Sequence, residues 1–204
     1  GTVWHASERL VGALIPATGE PCYLAPAFEE GTLREYQVVP GAIHTWQEHE
    51  SPYHLCLDLL AGLGVTPDAN RPARLGLDEA APFFLVDGLR QLGQGYELVN
   101  ASAVTAHCRM RKSPQEIALM QRAFDMTLSV HQAAASMLRP GLSTTEVEAF
   151  IHTAHRTVGA RGSYFCIVLF GEATAYPHGV KNPQILREGD MVLIDTGCLV
   201  EGYM

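Results

Sequence analysis

A surplus of positive charge is missing from this sequence: 22 Asp and Glu stand against 14 Lys and Arg, giving a net charge of -8 and a pI near 5.5. That balance excludes a nucleic-acid binder working through a basic patch, so no nucleic-acid partner is expected. Long hydrophobic runs are also missing. No stretch reaches the about eighteen uncharged apolar residues that a membrane-crossing helix requires, and no membrane partner is expected. The opening residues Gly1-Thr2-Val3-Trp4-His5 lack the basic head and apolar run of a secretory signal. The chain starts on Gly1 and not on Met; the expectation is that residues precede it, where a signal would be out of sight. Paired cysteines are lacking too. Cys22, Cys56, Cys108, Cys166 and Cys198 form no CxxC pair and no zinc-knuckle spacing. Reduced, mostly buried thiols in a cytoplasmic protein are the expectation. Internal repeats and low-complexity segments are absent.

What is present is an ordinary globular mixture, 47% hydrophobic and 18% charged over 204 residues, enough for one large domain or two modest ones. The first hundred residues alternate strand-like and helix-like patterns. Leu10 to Pro16 and Cys22 to Ala25 are apolar runs flanking the turn residues Thr18-Gly19-Glu20, a hairpin or two neighbouring strands. His54 to Leu63 reads as a helix closed by Gly62 and Gly64, Arg74 to Leu77 as a strand, Ala80 to Leu92 as a helix and Tyr96 to Val99 as a strand. This is an α/β layer domain over residues 1–105. A charged connector, residues 106–112, contains Arg109-Met110-Arg111-Lys112, and a second domain covers residues 113–204.

The second domain opens on Ser113-Pro114-Gln115-Glu116, a capping box with proline at the first helical position. Ile117, Met120, Phe124, Leu128, Ala135 and Leu138 then recur at helical spacing, predicting that they form the apolar face, until Pro140-Gly141 stops the run. A second box, Ser143-Thr144-Thr145-Glu146, starts another helix, with Leu142 placed to staple against Val147 and Gly159 fit to cap the end. The short connection makes the two helices antiparallel. Beyond them come a strand, Cys166 to Phe170, a loop containing Tyr176-Pro177-His178-Gly179, the turn Glu188-Gly189-Asp190, and the strand Met191 to Gly197.

Two residues in this stretch carry chemistry. Asp195 follows four consecutive apolar residues, which reads as a carboxylate in a buried strand. Such burial costs several kcal/mol in order of magnitude unless a metal, a basic partner or backbone donors meet it. A strand-end Asp that caps a turn with Thr196-Gly197 is the other reading. His178 sits between Pro177, which restricts the backbone, and Gly179, which allows close approach. That framing suits an imidazole presented into a cleft, as it also suits a solvated loop histidine. His152 and His155 stand three apart on a helix with no acidic third ligand and read as partly exposed surface. His44, His49 and His54 read as surface, and His131 as core-edge. Phe83-Phe84 and the methionines of the long helix read as core, and Gly62-Leu63-Gly64 and Gly93-Gln94-Gly95 as turns lacking the full dinucleotide fingerprint.

Tyr176-Pro177-His178-Gly179-Val180, Glu188-Gly189-Asp190 and Val192-Leu193-Ile194-Asp195-Thr196-Gly197 together resemble the signature of the Xaa-Pro peptidases, the prolidase and aminopeptidase P family. Arg111-Lys112-Ser113-Pro114-Gln115-Glu116-Ile117 resembles the start of that family's catalytic domain. Ser7-Glu8-Arg9 and Pro26-Ala27-Phe28-Glu29 resemble parts of its amino-terminal domain. The resemblance implies an α/β (α+β) chain: a creatinase-like amino-terminal domain followed by the first half of a pita-bread catalytic domain. It implies two divalent metal ions, manganese foremost with cobalt or zinc as alternatives, held by two Asp, one His and two Glu. Asp195 corresponds to the first metal ligand and His178 to the cleft histidine that contacts substrate. The family's second Asp follows the first by eleven residues, and Met204 stands nine after Asp195. The expectation is therefore a fragment, inactive as it stands, of a homodimeric enzyme that hydrolyses proline-containing peptides. Eleven residues in one extended strand would span roughly 36 Å, so the chain must fold back, and Gly197 and Gly202 offer the bends. A creatinase-like hydrolase without metals and a non-catalytic peptide- or protein-binding relative share the fold; the presence of Asp195 speaks against the first, and His178 with Asp195 against the second.

Overall fold

A computed structural model describes residues 8–68 and 70–204. The chain divides into two compact units between Arg111 and Lys112. Ser7, which belongs to the amino-terminal resemblance, lies outside the described residues. No helix among the described residues is long and apolar enough to cross a membrane.

In the first unit, β1 (Gly12–Leu14) and β2 (Cys22–Pro26) form the expected antiparallel hairpin, and β3 (Ala42–Trp46) adds parallel to β2. The crossover between β2 and β3 runs through a short 3-10 turn and α1 (Glu30–Tyr36). Neither α1 nor β3 was legible in the sequence pattern. His44 therefore lies half-buried in a strand, whereas His49 and His54 are exposed. Ser51 accepts from the His54 N–H and Pro52 takes the first turn, so α2 spans Pro52–Gly62. A second parallel pair, β4 (Ala73–Leu77) and β5 (Tyr96–Asn100), is joined through α3 (Phe83–Leu92). The core gathers Leu10, Leu24, Cys56, Leu60 and Leu89. Burial in it pushes the Cys56 thiol up to about 11. Phe83 and Phe84, expected in the core, are exposed at the start of α3; only Leu89 of that helix is fully buried. α4 (Ser102–Met110) occupies most of the segment read as a connector.

The second unit is a helix pair laid on a β-hairpin. Both capping boxes form: Ser113 accepts from the Glu116 N–H at 3.2 Å while Glu116 Oε2 accepts from the Ser113 N–H at 2.6 Å, and Ser143 and Glu146 repeat the exchange. They start α5 (Pro114–Met137) and α6 (Thr144–Thr157). Leu142 and Val147 share the core, as a staple requires. The buried face of α5 differs from the one the large residues predict. Ala123, Met126, Val130 and Ala134 are buried, whereas Ile117, Phe124 and Leu128 are 55%, 62% and 47% exposed. The alanines have no bulk to hold a neighbour away, and this small-residue stripe is the one turned inward. β6 (Phe165–Phe170) and β7 (Val192–Gly197) pair antiparallel, with Ile167 opposite Asp195 and Cys166 opposite Thr196. Val168 and Phe170 join Val130, Ala134, Val147 and Ile151 in the core, with Cys166, Val192 and Ile194 packed against it. Side chains alternate across a pleated strand, so Ile167, Leu169, Leu193 and Asp195 lie on the opposite face of the hairpin.

Candidate functional site

The pleat decides where Asp195 goes. Its carboxylate lies on the face of β7 turned away from the helices and is exposed. The burial expected from the apolar run before it is therefore corrected. Met191 is 68% exposed and Val192, Leu193 and Ile194 are only half-buried; Val192 and Ile194 pack against the helix-side core, and Asp195 lies on the other face.

His178 is set by a tight turn. The Gly179 N–H donates to the Tyr176 carbonyl at 2.9 Å, Pro177 occupies the first corner, and Gly179 has a φ of +89°, which a side chain would strain. The loop that follows is pinned to the start of α6: Thr144 N–H donates to the Gln184 carbonyl at 3.0 Å, and Gln184 Oε1 accepts from the Phe170 N–H at 3.3 Å. Pinning the loop leaves a cavity of about 260 Å³ along β6, lined by His178 through Gln184, by Cys166 to Leu169 and by Thr144, Thr145 and Glu148. His178 is exposed at this cavity. Asp195 does not line it, but Ile167, its partner across the ladder, does.

Glu148 was not singled out from the sequence. Thr144 and Glu148 are four apart on α6, so they share a helix face, and that spacing was the available signal. Burial raises the Glu148 carboxyl, against the lowering effect of the Val168 N–H. Burial likewise raises the Cys166 thiol; the Thr196 hydroxyl opposes that, while the charges of Glu148 and Asp195 add to it. These effects hold Cys166 further from the reactive thiolate than a free cysteine.

Just past β7 the chain reverses. Val200 and Tyr203 exchange backbone hydrogen bonds at 2.8 and 2.9 Å, with Glu201 at φ +48° and Gly202 at φ +84°. Two successive residues with positive φ are what a type I′ hairpin turn requires. Of the two bends anticipated, Gly202 makes the turn. Gly197 stays in the strand, where an added Cβ would press on Met204 and Phe165. Among the described residues no group of three or more His, Cys, Asp or Glu is placed to hold a metal ion. A lone carboxylate does not hold a metal pair.

A parallel-crossover α/β unit is followed by two capped helices on an antiparallel hairpin, with an acid on the open face of that hairpin and a histidine on a pinned loop, the fold of a creatinase-type domain followed by pita-bread elements. Two family models match the chain: the Creatinase/Prolidase N-terminal domain over residues 1–111 and Metallopeptidase family M24 over residues 118–204. The chain belongs to the creatinase and prolidase family, whose amino-terminal domain model covers more than half of it. It is 29% identical to a putative dipeptidase, YkvY, of Bacillus subtilis over 96% of this chain and 53% of that protein. It is 38% identical to the Xaa-Pro aminopeptidase of Escherichia coli, over 52% of this chain and 24% of that one. The crystal structure of dipeptidase PepE from Mycobacterium ulcerans superimposes with a TM-score of 0.79 at 28% identity, covering 96% of this chain and 51% of that chain. The chain spans about half the length of the full-length relatives it matches end to end.

Proposed function

We propose that the whole protein is a metal-dependent peptidase for Xaa-Pro bonds, of dipeptidase or aminopeptidase type, in which Asp195 is one acidic ligand of a divalent metal pair and His178 contacts the substrate. The observation that carries this reading is the position of Asp195 beside the type I′ turn. Val200 opposite Tyr203 sets the register for a strand returning along β7. Extended in that register, a residue eleven after Asp195 falls opposite Gly197, and cross-strand partners share a face. Gly197 shares its face with Asp195. A second acid at the family's spacing would therefore stand beside Asp195 on the open side of the sheet, at a position where the opposing residue has no side chain. His178, held by the pinned loop, is a donor suited to steadying charge that develops on a scissile carbonyl. A metal pair, once bound, would supply an acidified water and a polarised carbonyl. The names of the dipeptidase and Xaa-Pro aminopeptidase relatives support the substrate class.

Release of proline from an Ala-Pro dipeptide by the whole protein, with manganese, cobalt or zinc added and again after chelation, tests the reading. Chelation is expected to abolish release. Asp195→Ala is expected to lower it by about a thousandfold or more, and His178→Ala by about a hundredfold to a thousandfold. Binding of the dipeptide with no proline released under any of the three metals would overturn the assignment in favour of a binding module.

A further inference from the structure

His155 was read as a surface residue and is instead fully buried, 0% exposed, on the inner face of α6. The charges acting on it are those of His131 on α5 and His152 one turn earlier on α6; no acid is among them. Its ring is held at both nitrogens. Nδ1 lies 2.9 Å from Ser163 Oγ and Nε2 lies 3.4 Å from Thr127 Oγ1. Thr127 Oγ1 lies 3.6 Å from Cys198 Sγ, and Cys198 Sγ donates to the Ala123 carbonyl at 3.7 Å.

These contacts form one directed chain. A carbonyl only accepts, so the thiol proton points at Ala123. The Thr127 hydroxyl then donates to sulfur and accepts from His155 Nε2–H, which leaves Nδ1 to accept from Ser163. With the protons assigned in this way the imidazole is neutral and carries its proton on Nε2, an assignment that the buried site, with no acid acting on the ring, favours over an imidazolium. The two ends of the chain are informative. Ser163 stands just before β6, and Cys198, also 0% exposed, directly follows Gly197 at the end of β7. Between them the Tyr164 N–H donates to the Gly197 carbonyl at 2.8 Å, and the Thr196 hydroxyl to the Phe165 carbonyl at 2.8 Å. One imidazole is thus bonded directly to Ser163, ahead of β6, and linked through the Thr127 hydroxyl to Cys198, just past β7, at the end of the ladder that carries Asp195.

We propose that neutral His155 is a positioning residue that clasps the Ser163 and Cys198 ends of the β6–β7 ladder, holds Asp195 in place, and releases that clasp when it takes up a proton. A proton on Nδ1 reverses the Ser163 bond, whose oxygen then accepts, and leaves a charge buried without an acid to meet it, and that uncompensated charge is what loosens the site. Burial is the main cause that lowers the His155 pKa, with His131 and His152 adding to it and the Ile151 backbone opposing. A folded value below the unfolded one means that the opened form binds the proton better. The clasp is therefore intact above the ordinary histidine value of 6.5 and weakens as pH falls below it. What this does to Asp195 as a ligand rests on the peptidase reading; the clasp itself does not.

Amide hydrogen exchange on the protein, corrected for intrinsic rates, tests the clasp without substrate or metal, so a failed peptidase assay leaves the test intact. In the wild type, protection of the Tyr164 amide and of the β7 amides is expected to drop about tenfold between about pH 7.5 and about pH 5.5, while Val130 and Ile151 keep theirs. His155→Gln can still donate to Thr127 and accept from Ser163 but cannot titrate, so it is expected to stay protected at both pH values. His155→Leu is expected to exchange these amides rapidly at both. A drop retained in His155→Gln would assign the effect to His152, whose Nδ1 accepts from the Ser163 N–H at 3.2 Å, and would overturn the proposal. So would a loss of protection spread evenly over α5 and α6, or no drop in the wild type.

Discussion

Gly162 shows how tightly the approach to β6 is built. Its φ is +127°, a region that side chains rarely adopt, and an added Cβ would run into the His152 ring. That ring cannot simply swing aside, because its Nδ1 accepts from the N–H of the next residue, Ser163. Two effects therefore add in Gly162→Ala: backbone strain of about 1–3 kcal/mol and a forced shift of a bonded ring, about 1–3 kcal/mol. The entropic gain from removing a glycine, about 0.4–1 kcal/mol, is too small to offset them. Gly162→Ala is expected to destabilise the protein by about 2–4 kcal/mol in urea unfolding. Gly12→Ala serves as the control, since nothing lies within 4 Å of a Cβ built there and its φ is not in the strained range; it is expected to be near neutral. Equal losses in both variants would refute the steric account.

At the scale of elements, the capping boxes join local sequence to a pH response. The Ser143 N–H lowers the pKa of Glu146, and the Ser143 hydroxyl lowers it further. A depressed carboxyl contributes stability that is complete above the ordinary glutamate range and is lost as pH falls through the folded value. Ser143→Ala is expected to cost about 1 kcal/mol near neutral pH. Glu146→Gln is expected to lower the urea midpoint at about pH 7, and the deficit is expected to shrink steadily as pH falls below the ordinary glutamate range and through the folded value. A deficit that does not shrink at all as the solution is acidified would show that the carboxylate charge is not what the box uses. These boxes were legible because every group in them lies within four residues. The β1 and β2 runs, the strands β6 and β7 taken singly, and most helix limits were legible from similarly local patterns, whereas the pairing of β6 with β7 joins residues more than twenty apart and was not. The buried face of α5 was not: periodicity counted Ile117, Phe124 and Leu128, while packing selected Ala123 and Ala134, and composition carries no trace of which helix face meets a neighbour. Asp195 illustrates the same gap at the candidate site. Its strand and its position were readable, but four apolar residues in a row cannot tell a strand covered on both faces from one covered on a single face. β3, interrupted by His44 and Thr45, lacked the apolar signal of its neighbours because three of its five positions are only partly buried and one is exposed.

For the molecule as a whole, the two core clusters share no residue: one is built from Leu10, Leu24, Cys56, Leu60 and Leu89, the other from side chains between Val130 and Leu186. Each unit holds near a hundred residues, enough for a stability on the order of 5–14 kcal/mol by itself. Residues 112–204 contain no tryptophan, and Trp46 is buried in the first unit. Indole fluorescence therefore reports that unit alone, while α5 and α6 supply about half of the helical signal in circular dichroism. Ile151 is 1% exposed in the second core, so Ile151→Ala removes about 2–5 kcal/mol there, a large share of what that unit has. In urea, the variant is expected to lose about half of its ellipticity at a lower denaturant concentration than the wild type, with the tryptophan midpoint unmoved. The reciprocal change, Leu60→Ala in the first core, is expected to move the tryptophan midpoint and leave the other half of the helical signal in place. If either substitution shifts both signals together, the chain unfolds as one cooperative body and the division at Arg111 and Lys112 is geometric only. If the signals separate, Asp195, His178 and the His155 clasp belong to a unit whose stability can be changed without disturbing the amino-terminal domain.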